Sequence, residues 1–385
     1  MSEVEVQGIC TPGFEAVQER FAANFAEGLE RGASVSVTLH GQTVVDLWAG
    51  DADGAGRPWE RDTIVNCWSV TKTMAAIVML MLEDRGELDL DAPVADAWPE
   101  FAAHGKGTVT MAQVLGHTSP VPGFDPEIAP EDLYDWDLCA ANLAASEPWW
   151  ETGTRSGYHA LTQGYVEGEV VRRLTGRTIG QWFRDEVATP LGADFHIGLP
   201  ESEEGRVGEM TPPGVRLGGA GDLDPASIPY RILASCKVTG DEQNTREWRA
   251  AEIPSAGGTG NARSVARVHG AIANGGTLDG VEILSARGVD RIFDVQYDGG
   301  IEALNMDMKL GTGFGLMSPS TPLSPNPRSC FWGGWGGAIC VIDVDLGLSV
   351  AYVMNKMAGG LVGDLRGAVL ALTAIGSAAA MADAG

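Results

Sequence analysis

Lysine is scarce in this chain: 5 lysines stand among 26 basic side chains, against 52 acidic ones, over 385 residues. The formal charge of -26 repels phosphate backbones and anionic headgroups, so neither nucleic-acid binding nor electrostatic membrane attachment is expected. The 6 histidines never fall at H-x-x-x-H or H-x-H spacing, and no metal site is expected. Six cysteines (Cys10, Cys67, Cys139, Cys236, Cys330, Cys340) lack C-x-x-C spacing and read as reduced, buried thiols. A G-x-S-x-G elbow is missing too, which excludes an α/β-hydrolase triad. No run approaches the ~18 apolar residues of a membrane span, and the opening MSEVEVQGIC is too acidic for a secretory signal. A cytoplasmic protein with no membrane partner and no cofactor is the expectation. Its oligomeric state is not legible.

With 44% apolar and 20% charged residues the chain has a globular composition. Its length favours two structural lobes. Residues 12–31 place Phe14, Val17, Phe21, Phe25 and Leu29 at three- and four-residue spacing, which predicts an amphipathic helix ended by Gly32. Residues 34–40 and 43–49, joined at Gly41-Gln42, predict a hairpin. A strong helix is expected over 70–84, another over 159–174, and a third over 264–273 with Ser264 as its N-cap. The Gly-, Pro- and acid-rich stretch 200–228 reads as a long surface excursion. Strands over 338–344 and 348–355 lead into a terminal helix over 362–379. Helix and hairpin at one end, strands and helix at the other, predict that the termini co-fold. The α/β domain would comprise 1–90 and 240–385, with 91–239 as a mainly helical insertion.

Three groups of residues carry chemistry. Ser69-Val70-Thr71-Lys72 puts a hydroxyl and an amine on one helical face, at a helix entrance where free N–H groups favour developing negative charge. Serine needs a base to become a nucleophile, and the apolar run 74–82 would bury Lys72 and lower its pKa towards that task. Five lysines supply such a pair by chance in roughly a third of chains; here it is the sole S-x-x-K and opens the most apolar helix. Tyr158, placed at the start of the 159–174 helix, supplies a phenol able to relay a proton. The segment Phe331-Trp332-Gly333-Gly334-Trp335-Gly336-Gly337 precedes a predicted strand, and its glycines allow a backbone to approach a ligand and aim N–H groups at it.

Together these elements resemble the serine β-lactamase and penicillin-binding protein superfamily, and most closely its esterase branch, the family VIII carboxylesterases. Tyr158-His159-Ala160 is similar to the tyrosine motif of those esterases, and Trp332-Gly333-Gly334 stands where β-lactamases carry Lys-Thr-Gly. Leu115-Gly116-His117-Thr118-Ser119, residues 258–276 and Val353-Met354-Asn355-Lys356 extend the resemblance over most of the chain. It implies a β-lactamase-like α+β fold, an antiparallel sheet flanked by helices. It also implies Ser69, Lys72 and Tyr158 as catalytic residues, the Ser69 and Trp335 N–H groups as oxyanion hole, and Trp332, Gly333 and Gly334 at the substrate. Trp332 in place of a Lys or His, Ala160 in place of an Asn, and the absent export signal point away from β-lactams, towards small to medium neutral, fairly apolar esters. A weak β-lactamase, an amidase or peptidase, an acyltransferase and a non-catalytic ligand-binding relative are the alternatives.

Overall fold

The computed structural model describes residues 4–213 and 223–384; part of the expected 200–228 excursion lies outside the described residues. The N-terminal region supplies strands β1 (Gln7–Cys10), β2 (Gly32–Leu39) and β3 (Gln42–Gly50). The C-terminal region supplies β4 (Tyr297–Ile301), β5 (Met306–Leu310), β6 (Gly315–Leu316), β7 (Ser329–Gly333), β8 (Ile339–Asp343) and β9 (Leu348–Met354). They form one antiparallel sheet in the order β1-β3-β2-β9-β8-β7-β6-β5-β4. The seam between chain ends runs from Leu348 opposite Leu39 to Met354 opposite Ala33. Among the described residues, none of 51–296 contributes a strand to this sheet.

Helices cover both faces, so β2 is buried along nearly its whole length. Its small polar side chains Ser34, Ser36 and Thr38 lie under a helix that spans Ala262–Ala273. There a Cβ added at Gly270 would sit 2.7 Å from the Thr38 hydroxyl. On the sheet, α1 (Glu15–Ala26) and the terminal helix Leu365–Ala384 pack against each other, the latter also against β9.

Several boundaries differ from expectation for local reasons. The first helix ends well before Gly32, because Gly28 takes φ +71° and the chain turns there; Gly32 instead opens β2. The 264–273 helix begins two residues earlier, capped by Asn261, whose side chain accepts the Ser264 N–H at 2.9 Å. The 159–174 helix starts only at Thr162, leaving Tyr158 in the turn before it. Among the described residues the terminal helix is the one element long and apolar enough to cross a membrane, with mean hydropathy 1.5 over Leu365–Ala382. Glycine, serine and threonine interrupt it and hid its length from a search for unbroken apolar runs. Its Leu370, Ala371, Ala374, Ile375 and Ala378 are buried, while Leu365 and Leu372 on the opposite side are exposed.

One buried ion pair ties this helix to both ends of the fold. Arg366 donates to Glu30 at 3.0 Å, to Asp364 at 2.6 Å, and to the carbonyls of Leu29, Lys356 and Gly336. Tyr352 donates to the other Glu30 oxygen. Removing one partner of a buried pair leaves an uncompensated charge, which costs about 3–5 kcal/mol. Arg366→Ala is therefore expected to lower the unfolding free energy by about 3 kcal/mol or more, measured by urea denaturation. A loss under about 1 kcal/mol, the range of an exposed pair, would show that the latch is not structural.

Candidate active site

The segment before α2 (Thr71–Asp84) is a 3-10 turn, Trp68–Val70, so Ser69 lies just ahead of the α-helix and not within it. Every residue from Thr71 to Leu82 is buried, which carries Lys72 into the interior at 1% exposure. The Thr71 hydroxyl donates to the Trp68 carbonyl and accepts the Gly258 N–H, fixing the turn against the 257–260 segment.

Two distant segments and the neighbouring Ser69 converge on the Lys72 amine. Nζ lies 3.1 Å from Ser69 Oγ, 2.8 Å from the Ala160 carbonyl oxygen and 2.9 Å from the Ser255 carbonyl oxygen. The two carbonyls can only accept, so each takes an N–H from the amine. A neutral amine then has its lone pair left for the Ser69 hydroxyl. On the other side, Tyr158 Oη donates to Ser69 Oγ at 2.7 Å. Burial pulls the Lys72 pKa down to about 7, opposed by the charge of Glu167. Burial pushes the Tyr158 phenol up to about 12, opposed by its hydrogen bond to Ser69.

Ser255 does double duty: its hydroxyl accepts the Gly164 N–H at 2.7 Å, at the start of α3 (Thr162–Thr175). This approach needs glycine, because a Cβ at Gly164 would lie 2.5 Å from the Ser255 nitrogen. The same contact thus sets α3, the Ala160 carbonyl and the Ser255 carbonyl relative to α2.

The glycine-rich segment passes beside Ser69 and brings Trp335 to the wall of the cavity in front of the hydroxyl. Trp332 is 2% exposed and stacks on His117, with ring centroids 5.3 Å apart. Gly333 is pressed on the Val362–Gly363 peptide, and Gly334 on the Cys67 carbonyl, where an added Cβ would sit 2.5 Å away. The close approach that glycine allows here is to the protein's own backbone. It brings Trp335 alongside the Ser69 turn. Gly334, Gly336 and Gly337 N–H groups all donate to carbonyls, whereas those of Trp335 and Ser69 have no partner among the described residues.

A predominantly apolar cavity lies in front of Ser69. Its walls include Trp68, Leu161, Ile232, Val238, Trp335 and Leu361, with no cationic side chain among the described residues. Sequence reading missed this wall. One stretch of it belongs to α4 (Ile228–Ala234), whose signal is legible: Ser227 caps the helix and Pro229 opens it. Among the described residues no group of His, Cys, Asp or Glu could hold a metal ion.

A helix-flanked antiparallel sheet with a buried Ser, Lys and Tyr brought to one point defines the class of the serine β-lactamase-like proteins. Residues 21–374 match the Beta-lactamase family, and the chain belongs to it. It is 33% identical to the Esterase/beta-lactamase LipL of Mycobacterium tuberculosis (strain ATCC 25618 / H37Rv), across 93% of this chain and 84% of that protein. It is 31% identical to Esterase EstB of Burkholderia gladioli, across 87% and 88%. Among solved structures, the crystal structure of a family VIII carboxylesterase superposes with a TM-score of 0.90 at 44% identity, covering 98% of this chain and 99% of that one.

Gly334 provides a test of this packing. Gly334→Ala forces a methyl group against the Cys67 carbonyl, an overpacking that costs about 1–3 kcal/mol. Denaturant unfolding is expected to show a loss in that range. An unchanged midpoint would mean that the Trp335 segment is not held against Ser69 as described.

Proposed function

We propose that this protein is a serine carboxylesterase that hydrolyses small to medium neutral, fairly apolar esters through an acyl-enzyme on Ser69. The observation that carries the reading is the Ser69 hydroxyl held between the Lys72 amine and the Tyr158 phenol, facing an apolar cavity. The likeness to the family VIII carboxylesterase and to LipL and EstB supports it. The 91–239 insertion, read as a mainly helical lobe, supplies Leu161 and Ile232 to the cavity wall. The six cysteines, all free, support a reducing, cytoplasmic setting.

Chemistry follows from the hydrogen-bond inventory. Lys72 is the direct base: its two bound N–H groups orient the lone pair at Ser69 Oγ, and at pKa about 7 a large share of it is unprotonated at neutral pH. Tyr158, with its phenol pushed up to about 12, keeps its proton and donates a hydrogen bond to the serine oxygen. As Ser69 Oγ attacks the ester carbonyl carbon, its proton passes to Lys72 Nζ. The oxyanion takes hydrogen bonds from the Ser69 and Trp335 N–H groups, which are otherwise unpartnered among the described residues. Collapse breaks the bond to the alkoxide, which leaves as the alcohol with a proton returned through Tyr158 and Lys72. Water, deprotonated by the same amine, then hydrolyses the acyl-enzyme. A β-lactam carboxylate would find no cation among the described residues that line this cavity, which favours neutral esters.

Two measurements test the reading. With a p-nitrophenyl short-chain ester, wild type is expected to show a burst and turnover that Ser69→Ala abolishes, while Lys72→Ala lowers kcat about 10²- to 10⁴-fold. A chromogenic cephalosporin is expected to turn over at least about 10-fold more slowly; equal rates would overturn the ester preference, and a burst surviving Ser69→Ala would overturn the nucleophile. The second is the pH profile. The base acts when unprotonated, so kcat/KM should rise with pH through about 7 and level off above it. A profile flat from pH 5 to pH 9 would exclude Lys72 as the base.

A further inference from the structure

The segment Leu115-Gly116-His117-Thr118-Ser119 supplies no group to the chemistry, yet it lies against the turn that carries Tyr158. His117 follows the short helix Met111–Leu115 and is buried. It takes φ +58°, a left-handed conformation that histidine, asparagine and aspartate adopt more readily than other side chains. From there its carbonyl and its ring both reach residues 156–159. The carbonyl accepts the Ser156 hydroxyl at 3.0 Å and the Gly157 N–H at 3.1 Å. The ring nitrogen Nδ1 accepts the His159 N–H at 3.2 Å. One residue thus holds the chain immediately before and immediately after Tyr158.

The Tyr158 N–H is held separately, by the Glu302 carbonyl at 3.1 Å, while the phenol extends to Ser69 Oγ at 2.7 Å. The imidazole of His117 also packs on the phenol ring, with centroids 5.4 Å apart, and is itself stacked on Trp332. An apolar side chain of similar size would fill the same space. It would leave the buried His159 N–H without an acceptor, which costs more than the hydrogen bond contributes when made. The acceptor role also fixes the state of the ring. Nδ1 accepts only when the proton of a neutral imidazole sits on Nε2, and burial holds His117 well below the usual imidazole range.

We propose that His117 is a positioning residue for the ester hydrolysis: with its carbonyl and its imidazole it fixes the turn on both sides of Tyr158 and so keeps the phenol hydrogen-bonded to Ser69 Oγ. It forms no bond to substrate and carries no proton in the reaction. Its effect on the rate passes entirely through the Tyr158 hydroxyl. The inference rests on the esterase reading above.

Its test pairs two replacements. His117→Asn keeps a side-chain acceptor and suits the left-handed backbone. His117→Phe keeps a flat ring against Trp332 and offers no acceptor to the His159 N–H. A catalytic group displaced by about 1 Å costs up to about 100-fold in rate. For the p-nitrophenyl ester, His117→Phe is therefore expected to lower kcat about 10- to 100-fold with KM little changed, and His117→Asn to lower it less than about 5-fold. In a Tyr158→Phe background, where no hydroxyl is left to position, His117→Phe should cost less than about 2-fold more. Equal kcat in the two His117 variants, or the same fractional loss with and without the Tyr158 hydroxyl, overturns the proposal. Should His117→Phe not fold, Ser156→Ala gives the same comparison by removing one donor to the His117 carbonyl. It should take about 2- to 10-fold off kcat with the tyrosine present and less than about 2-fold without it; an equal loss in both overturns the proposal. Absence of ester turnover in wild type would sink the esterase reading alone. The rate at which a fluorophosphonate labels Ser69, forming the Oγ–P bond and expelling fluoride, then decides. Intact mass should show labelling slowed about 10-fold by His117→Phe, and an unchanged rate overturns the placement of Tyr158 by His117.

Discussion

The site is organised around one amine held out of water by two main-chain carbonyls. Burial alone does not make a lysine chemically special, as the same chain demonstrates. Lys106 is also fully buried, and its Nζ donates to the carbonyls of Ala103, Ala144 and Ser146, three acceptors with no hydroxyl among them. Such an amine gains most as an ammonium that closes the end of a neighbouring helix. Lys72 differs in its third contact, which is a serine oxygen able to donate as well as accept. That one exchange turns a helix-capping cation into a group that can sit neutral and receive a proton.

Everything else near the site serves to bring segments far apart in sequence to that amine. The Ser255–Gly164 contact fixes the carbonyl side, and only a glycine lets α3 come so close. The Gly334–Cys67 contact fixes the opposite side, where the Trp335 N–H lies beside the Ser69 turn. Arg366 joins that side to the chain ends, since one of its donors reaches the Gly336 carbonyl while another reaches Glu30. The N–H groups assigned to the oxyanion and the carbonyls that hold the base are therefore set by different parts of the fold, and they meet only at Ser69.

How much of this the sequence revealed depends on how local each relation is. Ser69 and Lys72 are three residues apart, so their meeting is a property of one helical turn and was visible at once. That strands from the two chain ends share one sheet was legible from their patterns, because hydrophobic periodicity reports burial directly; which strand pairs with which was not. Tyr158 is 89 residues from Ser69; its phenol stood out at a helix start, but only the family resemblance joined it to that serine. Gln163 and Glu167 lie four apart on a helix, a spacing that reads as an ordinary polar stripe; only packing against α2 reveals that the stripe points inward. The Trp332-Gly333-Gly334 run was legible only in part for a related reason. Glycine in a strand end signals close approach, but sequence does not say to what, and here it is to the protein's own peptide groups.

Backbone strain gives an independent view of the same centre. Among the described residues with positive φ other than glycine, Trp68 at +49° and His117 at +58° are the buried ones. An L side chain held there costs on the order of 1–2 kcal/mol, so each needs compensation. Trp68 finds it in two neighbouring rings, Trp335 at 4.8 Å and Trp248 at 5.5 Å. His117 finds it in the face of Trp332 and in the His159 N–H, which it accepts at 3.2 Å. The strained residues adjoin Ser69 on one side and the Tyr158 turn on the other. The four aromatic partners that hold them, Trp335, Trp248, Trp332 and His159, come from elsewhere in the chain. The tryptophans around this site thus spend their packing energy on an unfavourable backbone that aims Ser69 Oγ and Tyr158 Oη at each other. Trp332, stacked on His117, acts on the site by that route.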